Sequence, residues 1–355
     1  MGQQGFGVEK VPDEGDVPVR AALAASSYIA GEGDSPTDAL AEMARLSADA
    51  VPVAAADGTL KGLLVRADLE EALRKGASDT LTAGDVCRPG VAVGIDAPMR
   101  MALSVLEAER VGNIPVVDGD RLVGHIGTGD IEGFQARRRH FHEQHGVADL
   151  SPHERAQVMW RMAQPTATWL TWGMEITGEA FIAKAESHGV FGPDKAILEI
   201  GPGYGRLLAE CLRRELPFKK YVAVDISPAN VKHLGETFDR DDFAVVNDDI
   251  ETVTLDDRFD VVFSSLTLKH LYPSFETALR NVARHLNPGA TVIFDVPEGE
   301  FSSFSPADDV TYVRGYSRAE LEGMLPGIPL ELVAFDEVVH APGQERLLVV
   351  ARKLP

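Results

Sequence analysis

Cysteine is nearly absent from this chain. Its 355 residues hold two, Cys87 and Cys211, too few for a disulfide framework and without metal-ligand spacing. A reducing compartment is the simplest home, so a cytoplasmic protein with no metal centre is expected. Long apolar runs are also missing. None reaches membrane-spanning length, and Met1 to Lys10 lacks the apolar core of a secretory leader. Positive charge is scarce: 34 Lys and Arg stand against 55 Asp and Glu, a formal net charge of −21 spread over both halves. Such a field repels a polyphosphate backbone and an anionic membrane surface alike, so neither is an expected partner. What remains is ordinary for a globular protein, with 45% hydrophobic and 25% charged residues, and the length suits two domains.

The most informative segment is Ala196 to Leu208, A-I-L-E-I-G-P-G-Y-G-R-L-L. A short apolar run carries Glu199, three glycines follow at alternate positions (Gly201, Gly203, Gly205), and an apolar helical pattern begins. The pattern predicts a buried strand that bends sharply into a helix through a turn almost bare of side chains. Such a bend lets a ligand approach the backbone and aims helix N-terminal N–H groups at a negative group. A second apolar run, Y-V-A-V-D, ends at Asp225, placed as an acidic acceptor for a ribose diol. A nucleoside cofactor in an α/β domain is the expectation.

The spacing is G-x-G-x-G rather than the G-x-G-x-x-G of dinucleotide folds, which disfavours a nicotinamide-dependent oxidoreductase. With Glu199 ahead of it, it resembles motif I of the class I S-adenosylmethionine-dependent methyltransferases. V-V-N-D-D-I-E (Val245 to Glu251), R-F-D-V-V-F-S-S-L-T-L-K-H-L (Arg258 to Leu271) and L-N-P-G-A-T-V-I-F-D-V (Leu286 to Val296) resemble its later segments in order. The resemblance implies a Rossmann-like seven-stranded sheet over residues 151–355, closed by a hairpin from L-E-L-V-A-F-D-E-V-V-H and E-R-L-L-V-V-A-R-K. Strands are expected near 196–200, 221–225, 243–247, 260–264 and 291–296. A helix stripe of Phe275, Leu279, Val282 and Leu286 should face the core. The resemblance also implies roles. Glu199 and the backbone of Gly201 to Gly205 would hold the methionine portion of S-adenosylmethionine, directly or through water. Asp225 would take the ribose, Asp249 the adenine amino group, Ile250 the adenine ring, and Ser264 would sit where cofactor and acceptor pockets meet. An N-terminal segment lids the cofactor in such proteins, which nominates Trp172 and Thr177 for the methionine end, with ordinary helix packing the favoured reading of Trp172.

Residues before 135 repeat. Asp34 to Met43 pairs with Asp96 to Leu106, and Ala50 to Leu69 pairs with Asn113 to Ile131, at an offset of about 62 residues. Each copy reads helix, strand with Val-Pro-Val or Ile-Pro-Val, Asp-Gly turn, strand, helix. This resembles a tandem pair of CBS domains over residues 18–135, after a polar, Gly-rich start (residues 1–17) expected to be poorly ordered. The family's ligand pattern, G-h-x-[ST]-x-x-[DN], keeps its aspartates here as Asp68 and Asp130 but loses both hydroxyls, with Thr128 one residue late. The resemblance implies a homodimer and a module that either regulates, with an adenine nucleotide as possible ligand, or only packs. Residues 136–150 read as a linker helix. Arg137, Arg138 and Arg139 there read as a solvated face or an ion-pair set, and His140, His142 and His145 lack partners at ligand spacing.

For chemistry, the expectation is methyl transfer to a small-molecule acceptor at oxygen or nitrogen. His270, in the loop after the fourth strand, is the candidate base for a hydroxyl acceptor or else a packing residue; Lys269, Asp295 and Glu298 are weaker candidates. The S-S-L-T segment does not resemble the [DNS]-P-P-[YFW] motif of nucleic-acid amino methyltransferases. The competing expectation is a catalytically silent sensor of the cofactor or an adenosine ligand. The acceptor itself leaves no pattern.

Overall fold

The computed structural model describes residues 16–24, 28–76, 81–163, 176–341, 343 and 345–355. The chain divides into two compact units, the first comprising Met1–Ala148 with Pro306–Asp309 and the second Asp149–Ser305 with Val310–Pro355. The expected disorder of the first residues falls almost wholly outside the described ones.

The first unit is built twice from one plan. The first copy is β1 (Ala30–Gly31), α1 (Pro36–Arg45), β2 (Ala50–Ala54), β3 (Leu60–Val65) and α2 (Arg66–Arg74). After the short α3 (Ala83–Val86), the second copy is β4 (Val93–Gly94), α4 (Met99–Glu109), β5 (Asn113–Asp118), β6 (Arg121–Gly127) and α5 (Thr128–His145). Each copy forms a three-stranded sheet with a parallel and an antiparallel pair. The Asp-Gly steps turn the hairpins, Gly58 and Gly119 taking positive φ. In both copies the register slips one residue past the strand proline, after Val53 and after Val116. Gly62 and Gly124 answer a close approach of backbone. A Cβ on them would lie 2.4 Å from the Arg88 carbonyl oxygen and 2.5 Å from that of Ala24, where a crossing segment bridges each last strand. Inward residues of both copies, among them Leu63, Val65, Ile114 and Ile126, share one core. The linker helix is the continuation of α5, and Arg138 on it is buried against Asp309 in this same unit, so that part of the arginine run is an ion pair rather than a solvated face.

The second unit begins with α6 (Pro152–Arg161), whose first turn Ser151 and Glu154 close as a reciprocal capping box. There follow α7 (Glu179–Ser187), β7 (Ala196–Ile200), α8 (Arg206–Arg213), β8 (Lys220–Asp225), α9 (Pro228–Thr237), β9 (Phe243–Asn247), β10 (Phe259–Ser264), α10 (Glu276–Ala283) and β11 (Leu286–Val296). A small hairpin of β12 (Ser302–Phe304) and β13 (Tyr312–Arg314), then α11 (Arg318–Met324), β14 (Leu330–Val339) and β15 (Glu345–Lys353) complete it.

Seven strands form one sheet in the order β14-β15-β11-β10-β7-β8-β9, with β15 antiparallel to both its neighbours and the rest parallel. This is the expected Rossmann-like sheet with its closing hairpin. Strand order reverses beside β7, so the carboxyl ends of β7, β8 and β10 frame a crevice. Side chains alternate across the sheet: Leu198 and Ile200 join the core under α10, Ile197 the core under α7 and α8. The expected stripe is buried in that first core, but only Leu279 and Val282 lie on α10. Phe275 precedes the helix and Leu286 opens β11. Among the described residues, no helix is long and apolar enough to cross a membrane.

Candidate active site

The crevice opens into a cavity of about 200 Å³ in the second unit. Its floor is the bend between β7 and α8, where Gly201, Gly203 and Gly205 take φ of +63°, +58° and +87°, values that favour glycine. The three glycines differ in what surrounds them. A Cβ on Gly201 would run into Thr267 at 2.3 Å, and one on Gly205 into Phe238 at 2.4 Å; one on Gly203 meets no atom of the described residues within 4 Å. Gly203 lines the cavity, so the missing side chain there leaves room for a ligand, not for the protein.

Asp225 ends β8 beside this opening and is buried. One carboxylate oxygen accepts from the Gly203 amide (3.1 Å), the other from the Ser227 amide (2.8 Å), and the Asn230 side-chain amide lies 3.4 Å from both. Burial pushes its pKa up to about 6, against the pull of those donors. The two 3.4 Å contacts with Asn230 are long, so those are the acceptor positions a diol could take. Asp249 follows β9. One of its oxygens accepts from the Glu251 amide (3.0 Å), the other from the Gln157 side-chain amide (2.7 Å), with Arg161 at 3.7 Å. Ile250 is buried and lines the cavity.

Two expected contributors sit elsewhere. Glu199 shares the sheet face of Ile197, accepts from the Tyr221 hydroxyl (2.7 Å) and does not line the cavity; burial lifts its pKa to about 7. Ser264 is fully buried, donates to the Ile200 carbonyl (3.3 Å), and leaves the wall to Ser265, Leu266 and Thr267. Thr177 lies off the cavity wall, its carbonyl accepting from Arg206 (3.3 Å), and Trp172 is outside the described residues.

His270 lines the cavity, buried beneath Trp160 with ring centroids 4.3 Å apart. Its Nδ1 lies 2.7 Å from the Tyr312 carbonyl oxygen. A carbonyl only accepts, so Nδ1 carries the hydrogen and Nε2 the lone pair. Burial, aided by Lys269, drives its pKa down to about 3 and keeps the ring neutral. Lys269 is itself buried, which lowers its pKa to about 8, while Asp295 is buried and Glu298 is an exposed partner of Arg318 (2.8 Å).

The sequence reading expected a helix here but did not place α6 at the site. Its His153, Gln157 and Trp160 line the cavity, His153 bonding Glu251 and Gln157 bonding Asp249. The polar residues His153, Gln157 and Arg161, each four apart, were the available signal. In the first unit, Asp68 is gripped by Arg88 through two contacts (2.7 and 3.2 Å), and Arg88 also reaches Glu109 (3.0 Å). Asp130 accepts from the Gly127 amide (2.8 Å) at the start of α5. Among the described residues, no group of three or more His, Cys, Asp or Glu converges as metal ligands would.

Two stretches of the chain match known families. A family of methyltransferase domains matches residues 198–294, and the CBS domain family matches residues 83–135. A Mycobacterium ulcerans (strain Agy99) protein named "Probable phthiotriol/phenolphthiotriol dimycocerosates methyltransferase 2" is 34% identical over 96 residues, 27% of this chain. The match spans only about a third of that relative, 36% of its length. Among solved structures, N-methyltransferase NodS from Bradyrhizobium japonicum WM9, in complex with S-adenosylhomocysteine, is 15% identical (TM-score 0.43) over 57% of this chain and 98% of its own. The glycopeptide N-methyltransferase MtfA complexed with S-adenosylmethionine is 18% identical (TM-score 0.42) over 51% and 95%.

Within the second unit, the sheet order and the glycine bend accompany the match of residues 198–294 to a methyltransferase domain. In the first unit, residues 83–135 match a CBS domain. The cavity of the second unit fits the methyltransferase cofactor S-adenosylmethionine: a bare bend at Gly203, a carboxylate at Asp225 and an apolar wall at Ile250 adjoin one another in it.

Proposed function

We propose that this protein is an S-adenosylmethionine-dependent methyltransferase acting on a small-molecule acceptor. The observation that carries the reading is the empty space over Gly203 beside the Asp225 carboxylate. When bound, S-adenosylmethionine supplies a methyl group on a sulfonium sulfur, open to in-line displacement. The chain's part is to hold and to exclude. The bend from Gly201 to Gly205 would receive the amino-acid portion, Asp225 the ribose hydroxyls, and Asp249 with Ile250 the adenine. Helix α6 covers this region with Ala156, Gln157 and Trp160, which keeps bulk water away from the reacting atoms. Approximation of the two reactants supplies much of the rate in such a reaction.

His270 is the base for a hydroxyl acceptor in this reading. Its Nε2 lone pair would take the proton as the new carbon–oxygen bond forms, and the Tyr312 carbonyl would fix the ring's orientation throughout. The acidic surface, net −21, supports a small molecule over a nucleic acid as acceptor. The CBS module would serve regulation or dimerisation of a cytoplasmic enzyme. In the first copy the Asp68–Arg88 pair competes with any ribose for that aspartate, which favours Asp130 as the nucleotide contact. Calorimetric titration with S-adenosylhomocysteine followed by an acceptor screen tests the proposal. Binding with turnover is the expected result; binding with no turnover across acceptor classes would favour a sensor, and absence of binding would refute both.

A further inference from the structure

Beneath the cavity wall lies a carboxylate that touches nothing inside the cavity. Asp295, near the end of β11, is buried and is not a lining residue. It receives donors on both oxygens. Oδ1 accepts from the Leu266 backbone amide (2.9 Å), and Oδ2 accepts from the Ser265 hydroxyl and from His340 Nε2 (3.1 Å). Burial would raise its pKa, but these bonds outweigh it and hold the group ionised. Leu266 has φ of +61°, a conformation a bulky residue rarely adopts and keeps only where the surroundings impose it. The imposed segment is the wall itself, since Ser265, Leu266 and Thr267 all line the cavity. At one end of it, Ser265 passes the hold to Arg206, whose guanidinium donates to the Ser265 hydroxyl oxygen (2.8 Å) and carbonyl (3.2 Å). At the other, the Thr267 hydroxyl donates to the Gly201 carbonyl (3.0 Å), in the glycine bend.

We propose that Asp295 is a positioning residue for the proposed methyltransferase: pinned by His340 from behind, it fixes the strained Ser265–Thr267 turn against the glycine bend and so shapes the part of the cavity that receives the cofactor's amino-acid portion. Asp295 itself never meets the cofactor. The inference rests on the cofactor reading above. Its consequence is selective: loosening the turn weakens ligands that carry the amino-acid tail and spares those that end at the nucleoside.

The test is Asp295→Asn, which keeps the shape but leaves one acceptor oxygen for donors that need two. Hydrogen exchange of the Leu266 amide should quicken at least tenfold while amides of β10 are unchanged. The Kd for S-adenosylhomocysteine should rise at least tenfold, and that for 5′-methylthioadenosine, which lacks the tail, should stay within threefold. His340→Phe, which removes one donor and leaves the carboxylate, should give the same selective pattern at smaller size and serves if Asp295→Asn does not fold. An unchanged Leu266 exchange rate, or equal weakening of both ligands, would overturn the proposal. Failure of the wild-type chain to bind S-adenosylhomocysteine would strike the cofactor reading instead, and the exchange measurement would still decide whether Asp295 pins the turn.

Discussion

The three glycines of the bend make separable demands, and Gly203→Ala isolates the one that concerns the ligand. At φ of +58° an L-residue is strained, at a cost of roughly 1–2 kcal/mol. Among the described residues no atom lies within 4 Å of the added methyl, so this strain is the structural cost they impose. For a unit of this size that lowers the melting midpoint by about 2–8 °C. The methyl projects into space that a bound cofactor must use. Overfilling a packed site costs about 1–3 kcal/mol, or roughly a fivefold to 150-fold rise in Kd. Gly201→Ala is the contrast, because its Cβ would fall within 2.9 Å of three Thr267 atoms; it should lose more stability as well as binding. Differential scanning calorimetry and titration with S-adenosylhomocysteine read the two quantities separately. A folded Gly203→Ala protein that binds within twofold of wild type would refute the assignment of that space to the ligand.

Glu199 gives a pH prediction. Its pKa is about 7 in the fold against 4.5 ordinarily, so the folded chain holds the proton more tightly than the unfolded one. The resulting stability is complete below about pH 4.5 and lost as pH rises through 7, a difference on the order of 3 kcal/mol. Glu199→Gln cannot titrate, so its stability relative to wild type should rise between pH 5 and pH 8; a pH-independent difference in denaturant unfolding would contradict this. Asp225 must be ionised to accept a diol, and with its pKa near 6 affinity for S-adenosylhomocysteine should fall by up to about tenfold per pH unit below that point. Asp225→Ala should cost more than about tenfold in Kd at pH 8, the scale of a hydrogen bond to a charged group; unchanged binding would remove Asp225 from the site. With a hydroxyl acceptor, His270→Ala should lower kcat by about 10²–10⁴ while the Kd for S-adenosylhomocysteine moves less than threefold, and an unaltered kcat would leave His270 a packing residue.

Much of this was legible in the chain because it is local. The glycine bend, the acidic strand ends and the Asp-Gly hairpins are set by residues adjacent in sequence, and the strands of the second unit fall within a few residues of their expected places. What was not legible depends on distant segments. Strand alternation sets Glu199 on the face opposite Leu198 and Ile200, but which face meets the cavity is decided by how the bend turns. The capping box of Ser151 and Glu154 starts α6 but does not say which side of the helix would cover Asp249. The hold of Asp295 on Leu266 joins positions 29 apart, from β11 to the bend that follows β10, neighbours in a sheet whose order no local pattern records.

The central claim is that the Gly203 bend and Asp225 together hold one nucleoside with an amino-acid tail. A co-crystal structure with S-adenosylhomocysteine tests it most directly. The account predicts density for the tail across Gly203 and both sugar hydroxyls within hydrogen-bond reach of the Asp225 carboxylate. An empty bend at saturating ligand, or the sugar bound away from Asp225, would contradict it.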